Sequence, residues 1–316
     1  MDLERGIIIM RLTAIGTALR RHAALVRAMS IAAVIALPLA GCGGVMDPQG
    51  PIGEANRTIL LNALGIMLVI VVPTILATLA FAWWFREGNT RARYLPTWAY
   101  SGRIELIVWS IPVLVILFLG GLIWIGSHEL DPARPLSSSK KPLEVQVVSL
   151  DWKWLFIYPD QNIASVNELV IPAGTPVHFS LTSASVMNVF FVPQLGSMIY
   201  TMNGMVTQLW LQADGPGEFP GLSAQFSGDG FADMGFTVHA VPQQGFEDWL
   251  SKVRNAGPHL DPQSYEKLAV QSSVAKPFTY GAVEPALFHA VASQQLPPGP
   301  GPVAGRGGVN VHNRSE

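Results

Sequence analysis

Two long stretches without any charged side chain constrain this sequence more than any other feature. They cover residues 58–85 and 106–127, in a chain of 316 residues of which only 13% are charged. A helix needs about 20 mostly apolar residues to cross the hydrocarbon core of a bilayer. We therefore predict two transmembrane helices, at about residues 59–85 and 104–127. The alternative, two buried helices of a soluble domain, is disfavoured by the length of the runs.

The charges that flank the two runs predict how the helices are oriented. The loop between them carries four arginines against two glutamates: Arg86, Arg91, Arg93 and Arg103, with Glu87 and Glu105. An excess of arginine and lysine marks the loops that stay in the cytoplasm. We therefore expect this loop inside the cell, and the segments before the first helix and after the second helix outside it.

The N-terminal segment has the features of an exported lipoprotein in the expected order. Residues 11–29 carry arginines but no acidic residue, and residues 28–40 form an apolar stretch too short to span a membrane. The stretch ends in Leu39-Ala40-Gly41-Cys42, which resembles the bacterial lipobox. We predict a signal peptide over residues 1–41 and lipid attachment at Cys42. The alternative is a weak signal anchor with an incidental cysteine.

Two further points about this end of the chain follow from its composition. Translation starts at Met1 or at Met10, and the sequence leaves the choice open. Cys42 is the only cysteine of the chain, which excludes an intrachain disulfide. Blue and dinuclear copper sites need thiolate ligands, so the segment outside the membrane cannot build one from its own side chains.

The net charge of −2 and the absence of a basic patch also argue against a nucleic-acid partner.

The segment after the second run reads as a small β-rich domain. Short alternating apolar and polar stretches separated by turns, over residues 143–242, predict a β-sandwich. The alternation changes phase near Val148, which predicts a bulge. Residues 243–295 have helical periodicity, and Asp261 before Pro262 has the pattern of a helix N-cap. Residues 296–316 are rich in proline and glycine and are expected to be a disordered tail. The many methionines of this segment are interpreted as core packing, and a methionine-only copper(I) site is the alternative.

Two spans followed by a β-sandwich resemble subunit II of the haem–copper respiratory oxidases. The resemblance extends from Cys42 to about Phe288, and its most specific parts are residues 151–159, 185–193 and 224–234. It implies a cupredoxin-like domain outside the membrane. The predicted fold class is therefore a transmembrane helical hairpin, a cupredoxin-like β-sandwich and a small C-terminal helical segment.

The same resemblance identifies positions that bind dinuclear copper in the cytochrome c oxidase branch of the family. The two histidines fall on Asn188 and Met234, the two cysteines on Phe226 and Gly230, and the methionine on Thr237. The glutamate that binds through its backbone carbonyl falls on Gly228. Every side-chain ligand is replaced. The chain in this respect resembles the cytochrome bo-type ubiquinol oxidase branch, whose subunit II is a lipoprotein without that copper.

The resemblance to this branch implies a function for the whole complex. Ubiquinol would deliver electrons to haem and copper in subunit I, which would reduce oxygen and pump protons. This subunit would hold no cofactor, support assembly with subunit I and the other subunits, and lie in the bacterial inner membrane with its C-terminal domain in the periplasm. The alternatives are a lipid-anchored cupredoxin-like assembly or binding module and, disfavoured by the missing cysteines, subunit II of a cytochrome c oxidase.

One membrane residue has two competing interpretations. Glu105 begins the second apolar run, and position alone favours a solvated carboxylate at a helix end near Arg103. In the family that the chain resembles, a glutamate at the start of the second span marks the entrance of a proton channel. Glu105 matches that position, and the match favours the proton-channel role over the first interpretation.

Overall fold

A computed structural model describes residues 43–93, 95–272 and 276–299 of the chain. The predicted signal peptide, Cys42 and residues 300–316 of the predicted tail lie outside these ranges. The chain divides into two compact units, Met1–Asp47 and Pro48–Glu316. The described part of the first unit holds one short helix, α1 (Gly43–Met46).

The second unit begins with a hairpin of two long apolar helices, which confirms the two predicted helices. They are α2 (Pro51–Trp84) and α3 (Gly102–Glu129). Their apolar side chains remain uncovered by the rest of the described chain; Val69, for example, is 74% exposed. A surface of this kind is stable only in hydrocarbon, which the core of a lipid bilayer provides.

The first long helix, α2, begins at Pro51, earlier than the predicted start at about residue 59. Its 34 residues extend for about 50 Å at 1.5 Å per residue, whereas the hydrocarbon core is about 30 Å thick. The first turns of α2 therefore extend beyond the membrane. The prediction missed them because it followed the uncharged run alone, and these turns contain Glu54 and Arg57, which form a 3.2 Å ion pair.

The extended turns of α2 pack directly on the β-sandwich. The Gly53 N–H donates to the carbonyl of Leu195 over 3.1 Å, and the Asp214 N–H donates to the carbonyl of Gln49 over 2.9 Å. A Cβ atom at Gly53 would lie 2.8 Å from the Gln194 carbonyl oxygen, so the close approach depends on glycine. Backbone contacts therefore fix the outer domain to the membrane hairpin.

Ten strands form the two sheets of the predicted sandwich, with one further strand from the C-terminal segment. The ten are β1 (Leu143–Leu150), β2 (Lys153–Tyr158), β3 (Ile163–Val166), β4 (Glu168–Pro172), β5 (Val177–Ser183), β6 (Asn188–Phe191), β7 (Ile199–Thr201), β8 (Thr207–Leu211), β9 (Gly217–Ser223) and β10 (Gly235–Val241). A 3-10 turn, Phe231–Asp233, lies between β9 and β10.

The C-terminal segment contains three helices, as its periodicity predicted, and also short strands. Its elements are α4 (Gln243–Ala256), β11 (His259–Leu260), α5 (Pro262–Ala269), β12 (Phe278–Tyr280), β13 (Ala282–Val283) and α6 (Leu287–Ala292). The predicted N-cap is confirmed, because the Asp261 carboxylate accepts a 2.7 Å hydrogen bond from the Ser264 N–H. One sheet has the order β12-β3-β2-β1-β5-β8, and the other has the order β4-β10-β9-β6-β7.

The six-stranded sheet is covered on both faces, which explains the change of phase in β1. Trp154 and Phe156 face the core between the sheets, whereas Leu155 and Ile157 face a second core under the C-terminal helices. The predicted bulge is wrong, because β1 pairs with β5 without interruption from Leu143 to Ser149. The apolar pattern changes where the second face of the strand also becomes buried.

A buried lysine connects the sheet to the C-terminal segment. Lys153, at the start of β2, is only 3% exposed. Its ammonium donates to the carbonyl of Val270, at the end of α5, over 2.6 Å and to the hydroxyl of Ser272 over 2.7 Å. Burial lowers the pKa of Lys153 to about 8, although the nearby Asp151 carboxylate opposes the shift.

The titration of Lys153 predicts how stability depends on pH. Because its pKa is about 8 in the folded chain and 10.5 in an exposed lysine, the unfolded chain binds more protons between these values. The contribution of Lys153 to the free energy of unfolding therefore rises with pH across this window. We expect the thermal midpoint of the wild-type complex to rise relative to that of Lys153→Met between about pH 8 and about pH 10. The exposed-lysine control Lys140→Met should give no such trend, and a constant wild-type to Lys153→Met difference would contradict the prediction.

Candidate functional site

The positions predicted to replace copper ligands lie on β6, on β10 and in the loop between β9 and β10. Ser223, at the end of β9, links two of them. Its hydroxyl donates to the side-chain carbonyl of Asn188 over 3.3 Å, and its N–H donates to the carbonyl of Met234 over 3.3 Å. Asn188 and Met234 are both buried. The structure therefore brings these two positions to one end of the sandwich.

The other replaced positions are arranged differently. Phe226 is 66% exposed and contacts the ring of Phe231, with 5.6 Å between ring centroids. Thr237 lies further along β10, where its N–H donates to the carbonyl of Asn167 over 3.3 Å. These two residues serve the surface and the strand pairing.

Asn188 is hydrogen-bonded at both ends of its side-chain amide. The side chain is fully buried, and its amide nitrogen donates to the carbonyl of Val186 over 3.3 Å. The side-chain oxygen accepts from Ser223, as described above. Because a buried amide is costly unless both of its ends are paired, these bonds explain how a polar group is accommodated here.

Trp152 covers the loop that would have supplied the thiolates. It lies in the two-residue turn between β1 and β2 with φ of 66°, a conformation that non-glycine residues rarely adopt. Its indole N–H donates to the carbonyl of Ser227 over 3.2 Å, and the side chain is 1% exposed. Packing of this large ring offsets the cost of the left-handed backbone.

The Trp152 ring occupies the space beside both glycines of the loop. A Cβ atom at Gly230 would lie 2.4 to 2.6 Å from three carbons of the indole ring, and one at Gly228 would lie 3.1 Å from a fourth. Gly228 also has a positive φ of 114°. The loop and the tryptophan therefore fit together only while these positions lack side chains.

The residues at this end of the domain do not fit the copper centre of the cytochrome c oxidase branch. Such a centre needs thiolates and imidazoles, and the corresponding positions hold an amide, an aromatic ring, a glycine, a thioether and a hydroxyl. Within the described residues, no group of three or more histidine, cysteine, aspartate or glutamate side chains could hold a metal ion. The chemistry available here is hydrogen bonding and apolar packing.

Glu105 lies far along the chain from this cluster, at the loop end of the hairpin. It is in the first turn of α3 with an exposed side chain, and its N–H donates to the carbonyl of Ser101 over 3.0 Å. Among the described residues, no basic group lies within 4 Å of its carboxylate, so the expected proximity to Arg103 does not produce an ion pair. A carboxylate in a first helical turn is favoured by the helix dipole.

Sequence reasoning missed the polar residues that flank Trp152. Asp151 is 4% exposed and accepts hydrogen bonds from the side-chain amide of Gln271, over 3.1 Å, and from the hydroxyl of Ser185. Lys153, on the other side, binds the end of α5 as described above. The signal was present as two opposite charges on either side of a tryptophan in an otherwise apolar region, a pattern that indicates a buried polar network.

Comparison with known proteins agrees with this arrangement and defines the class. Residues 159–241 match the family model "Cytochrome C oxidase subunit II, periplasmic domain", and residues 254–299 match the "COX Aromatic Rich Motif" model. A helical hairpin followed by these two regions is the organisation of subunit II of the haem–copper oxidases.

Curated relatives define the family within that class. The chain is 51% identical to ubiquinol oxidase subunit 2 of Acetobacter aceti, over 82% of this chain and 85% of that protein. It is 49% identical to cytochrome bo(3) ubiquinol oxidase subunit 2 of Pseudomonas aeruginosa, over 80% of this chain and 77% of that protein. The chain belongs to the ubiquinol oxidase subunit 2 family. It is a membrane protein with a periplasmic C-terminal domain, and it forms a complex with subunit I and other subunits.

The fit between Trp152 and Gly230 gives a prediction about stability. Gly230→Ala should lower the free energy of unfolding by about 1–3 kcal/mol, because the new methyl group overlaps the indole ring. Gly215→Ala is the matched control, since a Cβ atom there meets nothing within 4 Å. The measurement is thermal unfolding of the purified complex, followed by tryptophan fluorescence.

A double-mutant cycle tests whether the indole is the cause. In a Trp152→Ala background, Gly230→Ala should cost much less than it costs in the wild-type protein. An equal cost in both backgrounds would contradict the packing account.

Proposed function

We propose that this chain is the non-catalytic subunit II of a proton-pumping oxidase that transfers electrons from ubiquinol to oxygen. Haem and copper in subunit I would carry the oxygen chemistry. The observation that carries the proposal is the donor set of the outer domain, which lacks every side chain of the family's copper relay. Family membership at 51% identity to a protein named ubiquinol oxidase subunit 2 supports it independently.

The proposed electron route follows from the position of the donor. A soluble electron carrier outside the membrane needs a relay in the outer domain, whereas ubiquinol is dissolved in the bilayer and reaches subunit I directly. The outer domain then serves assembly. The domain is hydrogen-bonded through its backbone to the first turns of α2. Within the domain, the indole N–H of Trp154 donates to the carbonyl of Met234 over 3.4 Å.

The two alternative functions have less support. An assembly module without an oxidase role does not account for relatives named as oxidase subunits over about four fifths of the chain. A cytochrome c oxidase subunit II is disfavoured by the missing thiolates.

Purification of the complex tests the proposed function. A tagged chain solubilised from native membranes should carry subunit I with it, seen as a haem absorption spectrum, and the preparation should consume oxygen when ubiquinol is added. A chain that purifies without haem, or a haem-bearing complex that fails to oxidise ubiquinol, would refute the proposal.

We further propose that cleavage makes Cys42 the N-terminus of the mature chain and that Cys42 carries an attached lipid. This lipid would support the membrane anchoring of the first transmembrane helix, α2. The basic region, the short apolar core and the small residues before the cysteine support this. Intact-mass measurement of the purified chain decides the point, because an uncleaved or unmodified Cys42 is incompatible with it.

We propose that Glu105 lies at the entrance of a proton channel that leads into subunit I. Its support is its position at the loop end of α3, its exposed carboxylate and the lack of a basic partner within 4 Å among the described residues. In the assembled oxidase, a carboxylate here could collect protons at the cytoplasmic surface and pass them on through water.

Substitution of Glu105 separates the proton-channel role from a purely structural one. Glu105→Gln should lower ubiquinol-dependent turnover about a hundredfold, at the low end of the range that loss of a proton-transfer group produces, while haem content stays at the wild-type level. Glu129→Gln, at the other end of the same helix, should leave turnover unchanged. Equal turnover in Glu105→Gln and Glu129→Gln would return Glu105 to the role of a solvated helix-end carboxylate.

A further inference from the structure

A cavity of about 900 Å³ lies at the loop end of the membrane hairpin. It is formed by the last turns of α2, the connecting loop and the first turn of α3. This volume can hold part of a drug-sized or lipid-sized molecule. The cavity is at the opposite end of the hairpin from the β-sandwich, next to the helical turn that carries Glu105.

The inner walls of the cavity are mainly apolar. Phe81, Phe85, Trp98 and Ile104 line it, and Phe81 remains 63% exposed in this chain. Phe85 is the last residue of the first uncharged run, so these rings are at the level where the hydrocarbon meets the headgroups. The walls therefore suit an acyl chain that enters from the bilayer.

The mouth of the cavity is positively charged. Arg86 and Arg93 line it, and in the described part of the chain neither guanidinium has a carboxylate oxygen within 4 Å. Arg86 is held in place by the Trp83 ring, 5.0 Å away, and by a 3.4 Å hydrogen bond to the Trp83 carbonyl. Glu87 also lines the cavity and offsets one of the two positive charges. The remaining charge favours an anionic headgroup.

We propose that this cavity binds one acidic phospholipid of the cytoplasmic leaflet. Its phosphodiester is held by Arg86 and Arg93, and one acyl chain lies against Phe81, Phe85 and Ile104. An anionic head joined to an apolar tail matches the charge at the mouth and the chemistry of the walls at the same time. A soluble anion leaves the apolar walls wet, and a lipid with a choline headgroup brings a cation next to two guanidinium groups.

A comparison of two lipid probes on the wild-type complex tests the proposal. The purified complex is placed in lipid nanodiscs with photoactivatable phosphatidylglycerol and, in a second arm, with photoactivatable phosphatidylcholine of the same acyl chains. Phosphatidylglycerol should label residues 81–104 about fivefold more than phosphatidylcholine, as expected for the one positive charge that Glu87 leaves uncompensated at the membrane surface. Equal labelling by the two lipids overturns the proposal, as does a probe that labels only another subunit seated over the cavity.

Variants of the loop identify the residues that bind the headgroup. Arg86→Gln combined with Arg93→Gln should remove the preference for phosphatidylglycerol. Arg91→Gln is the matched control, because Arg91 belongs to the same loop and does not line the cavity. A double variant with the wild-type preference overturns the assignment. If the double variant fails to assemble, the comparison of labelling by the two lipids on the wild-type complex still decides the proposal.

Discussion

Two apolar helices that no other part of the described chain covers need hydrocarbon around them, and this need determines how the remaining parts are placed. The helix α2 is longer than the hydrocarbon core of the membrane is thick, so its first turns extend outside the membrane. There, Gly50 and Gly53 bring its backbone into contact with the outer domain, where a Cβ atom at Gly50 would lie 2.1 Å from the Gln212 carbonyl oxygen. The sandwich is thereby held at the membrane surface instead of moving freely on a linker.

The outer domain is stabilised by two cores that share one sheet. β2 contributes Trp154 and Phe156 to the core between the sheets and Leu155 and Ile157 to the core under the C-terminal helices. At one end of this structure, Trp152 covers a loop with two glycines and seals the region where related oxidases hold copper. The family's fold is thus retained, while packing replaces the side chains that would bind copper in the cytochrome c oxidase branch.

The sequence predicted much of this arrangement, for identifiable physical reasons. The uncharged runs predicted the hairpin, short alternating stretches separated by turns predicted the sandwich, and Asp261 before Pro262 predicted a helix start, because each of these signals is local. The docking turns of α2 and the burial of Lys153 could not be predicted in this way, because both depend on contacts between distant segments. The change of phase in β1 was misread as a bulge because the pattern of one strand does not reveal that a later segment covers its second face.

The account depends most on the claim that the outer domain holds no copper relay, so that electrons reach subunit I from within the membrane. Electron paramagnetic resonance of the oxidised complex, purified from cells grown with added copper, tests this claim directly. The account predicts no signal from thiolate-bound, mixed-valence copper. Such a signal, together with its loss when Trp152 or the loop of residues 224–234 is altered, would contradict it.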